Sequence, residues 1–360
     1  MSGFYKLTAD IDLSGYPNFE SIGTADDPFR GYFCGDNYVI KNLEIVRNNE
    51  NYQGLFGYAN GAHISDLTLE NPFVNARNGV GALLGVGIGT VIERVAIINP
   101  EIYGNNQVGG IVGETLANNA SFIRDCYVEN GDINTRSTGV GGILGLARDT
   151  RIENSYFSGT ITAPASTQDN NAGGIIGTTG NERVILKSVA SLATAIDGGT
   201  AGQFVSRGPR LVEFPNIYCR SNMQLSRNVG DSGFGRASSA QNKPLSDFKQ
   251  QSLYESTMGW DFDNTWSMQE DGFPVFRAKT TTGIKNQNVV GIKNLKVSQS
   301  NEQLTFEVTN PASVWIYETS GKLVNRLDVS SSKSITLPQG IYIIRSISNG
   351  VVESTKVFKN

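Results

Sequence analysis

Val140-Gly141-Gly142-Ile143-Leu144-Gly145 is one copy of a phrase that recurs along the chain. Gly54-Leu55-Phe56-Gly57, Val80-Gly81-Ala82-Leu83-Leu84-Gly85 and Val108-Gly109-Gly110-Ile111-Val112-Gly113 precede it, and Gly173-Gly174-Ile175-Ile176-Gly177 follows. The closing glycines stand at 57, 85, 113, 145 and 177, in steps of 28, 28, 32 and 32 residues. Self-similarity at such a period means stacked structural units, so the glycines read as corners of a repeat. A phosphate loop would need a helix after the glycines, and none is expected here.

A second phrase runs beside the first. Ile40-Lys41-Asn42-Leu43-Glu44-Ile45 is echoed by Ile64 to Leu69, Ile92 to Ile97, Ile123 to Val128, Ile152 to Phe157 and, more weakly, Ile185 to Ala190. Its first, fourth and sixth places are mostly apolar or small. Places four and six share a strand face, and the three-residue gap between places one and four requires a corner. One such unit buries too little to stand alone. Parallel stacking buries the apolar places of each copy against the next and pairs their backbones. The expected architecture is all-β: a right-handed parallel β-helix (solenoid), with Ile40, Ile64, Ile92, Ile123, Ile152 and Ile185 forming one inner ladder. The glycines are expected to give positive φ at corners and close approach between coils. Polar spacers of varying length (75–78, 105–107, 135–138 and 164–171) are where binding is expected.

Composition agrees with an ordered, turn-rich β protein. Of 360 residues 41 are Gly, 18% are charged, and the formal net charge is −4. Scattered Lys and Arg give no nucleic-acid footprint, and no apolar run predicts membrane insertion. No secretory signal opens the sequence, so it reads as either cytosolic or a mature or truncated form; other features favour the second. Cys34, Cys126 and Cys219 are widely spaced and without CxxC or Cys/His clustering, which argues against zinc. They read as free thiols, Cys126 as a small core residue, with a disulfide left open.

The opening "FYKLTADIDLSG", then "IGTADDPFRGYF", "YVIKNLEI", "GLFGY" and the glycine phrases resemble the GLUG-motif proteins, common as secreted or surface adhesin-like proteins of Bacteroidetes. The resemblance covers about residues 4 to 206. It implies a β-solenoid and a cell-adhesion role, with no catalytic set. Cys34 stands where that family usually has Asp or Asn.

Periodicity fades after Val205. Residues 226–242 read as a loop, followed by a short helix from Leu245 through Tyr254 with Ser246 or Asp247 as N-cap. Trp260, Phe262, Trp266, Phe273 and Phe276 read as an aromatic cap on the end of the array, with an exposed Trp260/Trp266 sugar platform as the alternative. Beyond a linker at 280–283, short alternating strands with turn signals at Ser320-Gly321 and Asn349-Gly350 predict a small antiparallel β-sandwich. "VWIYETSGKLV" and "LPQGIYIIRSISNGVVESTKVFKN" resemble the C-terminal sorting domains of the type IX secretion pathway and their Bacteroides relatives. This resemblance implies an immunoglobulin-like sandwich, export, and contact with secretion machinery. The expected division is therefore 1–206 solenoid, 207–283 cap and 284–360 sandwich.

Chemistry has few candidates. His63 is the one histidine, and nothing in the sequence builds a triad on it. Asp10, Asp12, Asp26, Asp27 and Asp36 form the best acidic cluster, read as turn and capping residues against an alternative calcium or acid/base site. Asn119-Ala120-Ser121 matches a glycosylation triplet. Tyr16, Phe19, Tyr32 and Tyr38, with Asp26 and Asp27, are the candidate ligand-binding residues. The expectation is a non-enzymatic protein without cofactor or metal, secreted or displayed on an outer cell surface. It would bind an extracellular glycan or protein through solenoid loops. A carbohydrate-active β-helix enzyme and a passive stalk are the alternatives.

Overall fold

The computed structural model describes residues 1–207, 214–226, 241–277, 290–292, 294–300, 303–318, 323–338, 340–348 and 351–359. The chain divides into two compact units, Met1–Ala278 and Lys279–Asn360.

The first unit is a parallel β-solenoid. Among the described residues, 21 short strands wrap most of its faces, and a separate six-stranded sheet holds the glycine phrases. Three apolar columns fill the interior. One runs Phe33, Ile64, Ile92, Ile123, Ile152 and Leu186. The next runs Ile11, Ile40, Leu69, Ile97, Val128 and Phe157. The third runs Ile45, Val74, Ile102, Ile133 and Ile161. From Ile40 onward nearly all of these side chains are fully buried in one continuous core.

Two expected members of the first ladder belong elsewhere. Ile40 pairs with Leu69, one corner further round, and Phe33 takes the place opposite Ile64. Ile185 faces Arg151 while Leu186 continues the column from Ile152. The cause is local grammar. Asp66, Arg94, Asp125, Asn154 and Ser188 turn the first corner, and Asn42, Asn71, Asn99 and Asn130 turn the second, all with φ between 46° and 57°. Both corners therefore sit between apolar places spaced alike, and the phrase fits either. Short polar residues suit these positions because Asn and Asp tolerate the left-handed region. At the second corner their amides also stack: Asn130 donates to Asn99 (3.2 Å) and Asn99 to Asn71 (3.1 Å).

Of the two roles expected of the glycines, close approach between coils holds at the closing positions and positive φ does not. Gly57, Gly85, Gly113, Gly145 and Gly177 do not have positive φ; Gly79 and Gly139, which precede the phrase, do. At the closing glycines two strand segments meet backbone to backbone. A Cβ on Gly113 would lie 2.3 Å from Gly79 C and Val80 N. Between them Leu83, Leu84, Ile111, Val112, Ile143 and Leu144 point inward with no exposure.

The alternating stretch Phe4 to Leu13 forms two short strands, Phe4–Lys6 and Ile11–Asp12. Phe19 to Ile22 forms no strand: Ile22 makes a single bridge to Phe56. Coil length varies outside the columns. The loop Leu116 to Ala120 makes the step from Ile92 to Ile123 31 residues, against 29 from Ile123 to Ile152, and both pairs stay in register. Cys126 is a fully buried free thiol.

Residues 245–277 lie along the flank of the solenoid. Their core joins Phe248, Tyr254, Trp260, Phe262 and Trp266 to Ala96, Tyr127, Tyr156, Ala190 and Tyr218. Those five solenoid residues form one outward column across successive rungs. The rings of Tyr127 and Tyr156 stack at 5.2 Å, and Trp266 packs 6.0 Å from Tyr127. Trp260 donates its indole N–H to Ser188 O (3.0 Å), and Ser188 donates its hydroxyl to Met258 O (2.6 Å). Trp260 and Trp266 are buried, which rules out the exposed sugar platform. The predicted helix is two separate turns, Asp247–Lys249 and Leu253–Met258, and Ser246 makes no side-chain cap bond.

The second unit is a small antiparallel sandwich of two four-stranded sheets. Its strands are Val290–Ile292, Leu295–Ser300, Gln303–Val308, Ala312–Glu318, Leu323–Val329, Ser332–Thr336, Gly340–Ser348 and Val351–Lys359, short and antiparallel as expected. Val297, Phe306, Val314, Ile316 and Ile344 fill its core. The turn signals at Ser320-Gly321 and Asn349-Gly350 lie outside the described residues.

Candidate functional site

The loop Ser21 to Phe29 runs along the edge strand Phe56–Asn60. Gly57 N–H donates to Ile22 O (2.9 Å), Tyr58 N–H to Gly23 O (3.1 Å) and Phe29 N–H to Tyr58 O (2.9 Å). Gly23 (φ 80°) is needed at this contact, because a Cβ there would lie 2.6 Å from Tyr58 O. The loop therefore covers an exposed sheet edge. It also forms one wall of a cleft of about 210 Å³.

Glu20, Thr24, Ala25, Arg47, Glu50, Asn51, Tyr52, Gln53 and Tyr58 line that cleft. Tyr52 and Tyr58 meet edge to face at 5.8 Å. Tyr52 is held at φ 62° by the corner and lies against Gly79, whose added Cβ would stand 2.7 Å from the Tyr52 ring. Ser21 donates to Gln53 Oε1 (2.8 Å), and Gln53 donates to Asn51 O (3.0 Å). Arg47 pairs with Glu50 at 3.2 Å. Burial raises the Tyr58 phenol, with nearby Tyr52 and Glu114 adding to it, so the hydroxyl stays protonated. Two amphipathic rings beside carboxylates, amides and a guanidinium can stack on an apolar ring face and hydrogen-bond its polar rim.

The expected ligand residues are spread over the first two coils. Thr24 and Ala25, from the loop that carries Asp26 and Asp27, reach the cleft wall. Asp27 instead pairs with the Met1 ammonium at 2.7 Å. Tyr16 is exposed, and Phe19 packs against the solenoid core. Tyr38 follows the corner at Asn37 and its N–H donates to Gly35 O (2.8 Å). Tyr32 stacks on Phe4 at 5.0 Å and lies 4.5 Å from the His63 ring. The pair that sequence reasoning missed is Tyr52 and Tyr58. Asn78 donates to Asn51 (3.0 Å) and Asn106 to Asn78 (2.8 Å), so residues near Asn51 are the second-coil counterpart of the variable spacers, a relation that only the folded register shows.

His63 belongs to a charged network on an adjoining face. It shares a hydrogen bond with Glu93 Oε1 at 2.9 Å. Arg124 Nε donates to Glu93 Oε2 (2.7 Å), and Arg94 binds Asp66 through Nε (2.5 Å) and Nη2 (3.0 Å). Burial would raise the Glu93 carboxyl, but the His63 hydrogen bond and the Arg94 and Arg124 guanidinium groups outweigh it and hold it at about 2. Ser65 donates to Asp66 (2.8 Å) and contacts Tyr32 OH (3.0 Å). A nucleophilic serine would instead hand its proton to the histidine. Asp10 accepts from Val39 N–H (2.9 Å), Asp12 accepts from Asn42 Nδ2 (2.9 Å), and Asp36 pairs with Lys6 (3.0 Å). These carboxylates tie coils and turns together. Among the described residues, no three metal-binding side chains converge, and no helix is long and apolar enough to cross a membrane.

Halomucin of Haloquadratum walsbyi is 34% identical over 348 residues, covering 86% of this chain and 3% of halomucin. The immunoglobulin A1 protease of Streptococcus sanguinis is 25% identical over 244 residues, covering 64% of this chain and 11% of the protease. A solved IgA1 protease structure aligns over 99% of this chain and 33% of its own, at 14% identity and a TM-score of 0.42. The chain thus spans a small fraction of each of these relatives. Residues 137–162 match the GLUG motif. That match falls on one copy of the repeat, the one built around Val140 to Gly145.

Proposed function

We propose that this protein is an exported, non-enzymatic binding module that takes a saccharide in the cleft between Glu20 and Tyr58. The observation that carries the reading is the Tyr52–Tyr58 pair set among Glu20, Glu50, Asn51, Gln53 and Arg47 in a ring-sized cleft. An outer-surface or secreted setting is supported by the relatives: one takes its name from an immunoglobulin, a molecule found outside cells. The adhesive role extends the same reading, with the solenoid presenting the cleft and the sandwich serving export.

A glycan array probed with the whole protein and with Tyr58→Ala tests it. The expected result is a defined set of saccharides bound by the parent and weakened at least about tenfold by the substitution. A flat array would favour the stalk. Release of new reducing ends from a bound polymer would favour the enzyme.

A further inference from the structure

Three successive rungs beyond His63 present an outward face of a different character. The strands Ser121–Arg124, Thr150–Glu153 and Val184–Lys187 pair in parallel, with Phe122 opposite Arg151 and Arg151 opposite Ile185. One column over, Arg124 lies opposite Glu153 and Glu153 opposite Lys187. Residues two apart on a strand share a face, so both columns point out together. Each rung therefore carries one cation on this face: Arg124, then Arg151, then Lys187. Neighbouring rungs are about 4.8 Å apart.

Depth separates the charges. The side chains of Arg124, Arg151 and Lys187 are 52%, 38% and 48% exposed, while Glu93 and Glu153, on the neighbouring rungs, are 7% and 22% exposed. Glu93 serves both Arg94 and Arg124, and Glu153 serves both Arg151 and Lys187. Acids and cations alternate along this column, and the cations are its more exposed members, in a chain whose formal net charge is −4. Phe122 stands among them with 39% of its surface exposed, although most other large apolar side chains of the solenoid are buried.

We propose that this face binds a linear anionic polysaccharide, carboxylated or sulfated, laid along the solenoid axis. A cation at each rung meets a polymer with anions at regular ring-sized steps, and Phe122 stacks on a sugar ring. The charge pattern favours this partner over an acidic peptide, because backbone groups on a sheet face are already paired and offer no strand addition. Duplex DNA would require a wider basic footprint than these few cations provide. The site is independent of the tyrosine cleft.

The test is titration of the whole protein with polygalacturonate and dextran sulfate, with neutral dextran, poly-glutamate and duplex DNA as comparators. Parent protein should bind at least one of the two anionic polysaccharides, and binding should fall steeply as sodium chloride rises from about 0.05 to 0.5 M. Phe122→Ser and the double variant Arg151→Ser/Lys187→Ser should each weaken binding by about tenfold with unchanged thermal melting. Tyr58→Ala should leave it unchanged, which separates this site from the cleft. Equal binding of neutral dextran, stronger binding of poly-glutamate or DNA, or full binding by both face variants would overturn the proposal. If one variant melts early, Phe122→Tyr decides, because it keeps the ring and should retain affinity.

Discussion

At the scale of single residues, two positions show how closely coils approach and how charge is held. A methyl on Gly113 would overlap the backbone of Gly79 and Val80 at 2.3 Å, whereas one on Gly15 meets nothing within 4 Å. Gly113→Ala should therefore cost about 3 kcal/mol in urea unfolding, the upper range for overpacking, and Gly15→Ala should change it by less than about 0.5 kcal/mol. Glu93 makes a pH-dependent contribution. Its folded carboxyl sits at about 2, below the ordinary 4.5. A lowered value stabilises the fold above the unfolded pKa, and this is lost as pH falls from about 4.5 toward 2. The loss from this one group is on the order of 3 kcal/mol. Unfolding of the parent compared with Glu93→Gln at pH 6 and pH 2 isolates it; a variant with the same acid sensitivity as the parent would show the group to be uncoupled from folding.

At the scale of elements, the flanking segment is fastened by its aromatic rings. Trp266 is fully buried between Tyr127, Trp260 and Phe276. Trp266→Ala should cost about 4 kcal/mol of local packing, and limited proteolysis should then cut within 245–277 while the coils remain protected. Cleavage no faster than in the parent would mean that the flank is held by other contacts. This element also marks how far the sequence could be read. Its aromatic richness was plain. Its placement was not plain, because terminal aromatics suit an end cap equally well. The solenoid was legible from the spacing of its glycines, but Ile40 and Ile185 were misplaced because the two corners share one grammar. The 24-residue step from Ile40 to Ile64, shorter than any glycine step, was the clue. The cleft was the least legible feature, since Tyr52 and Tyr58 gain an opposite wall only when the loop at Gly23 folds back along Phe56–Asn60.

At the scale of the whole molecule, the two units have separate cores. Calorimetry of the full chain should resolve two transitions, and Glu93→Gln should move only the larger one. A single transition shifted as a whole would show that the units unfold together. The solenoid also combines a strict ladder with loose loops. The extra residues at Leu116 to Ala120 leave Ile92, Ile123 and Ile152 in register. That tolerance makes the rod a ready chassis for grafting. A guest peptide spliced between Asn118 and Asn119 would be carried at a fixed height above neighbouring coils, and several guests placed in different coils would be spaced by whole multiples of one rung.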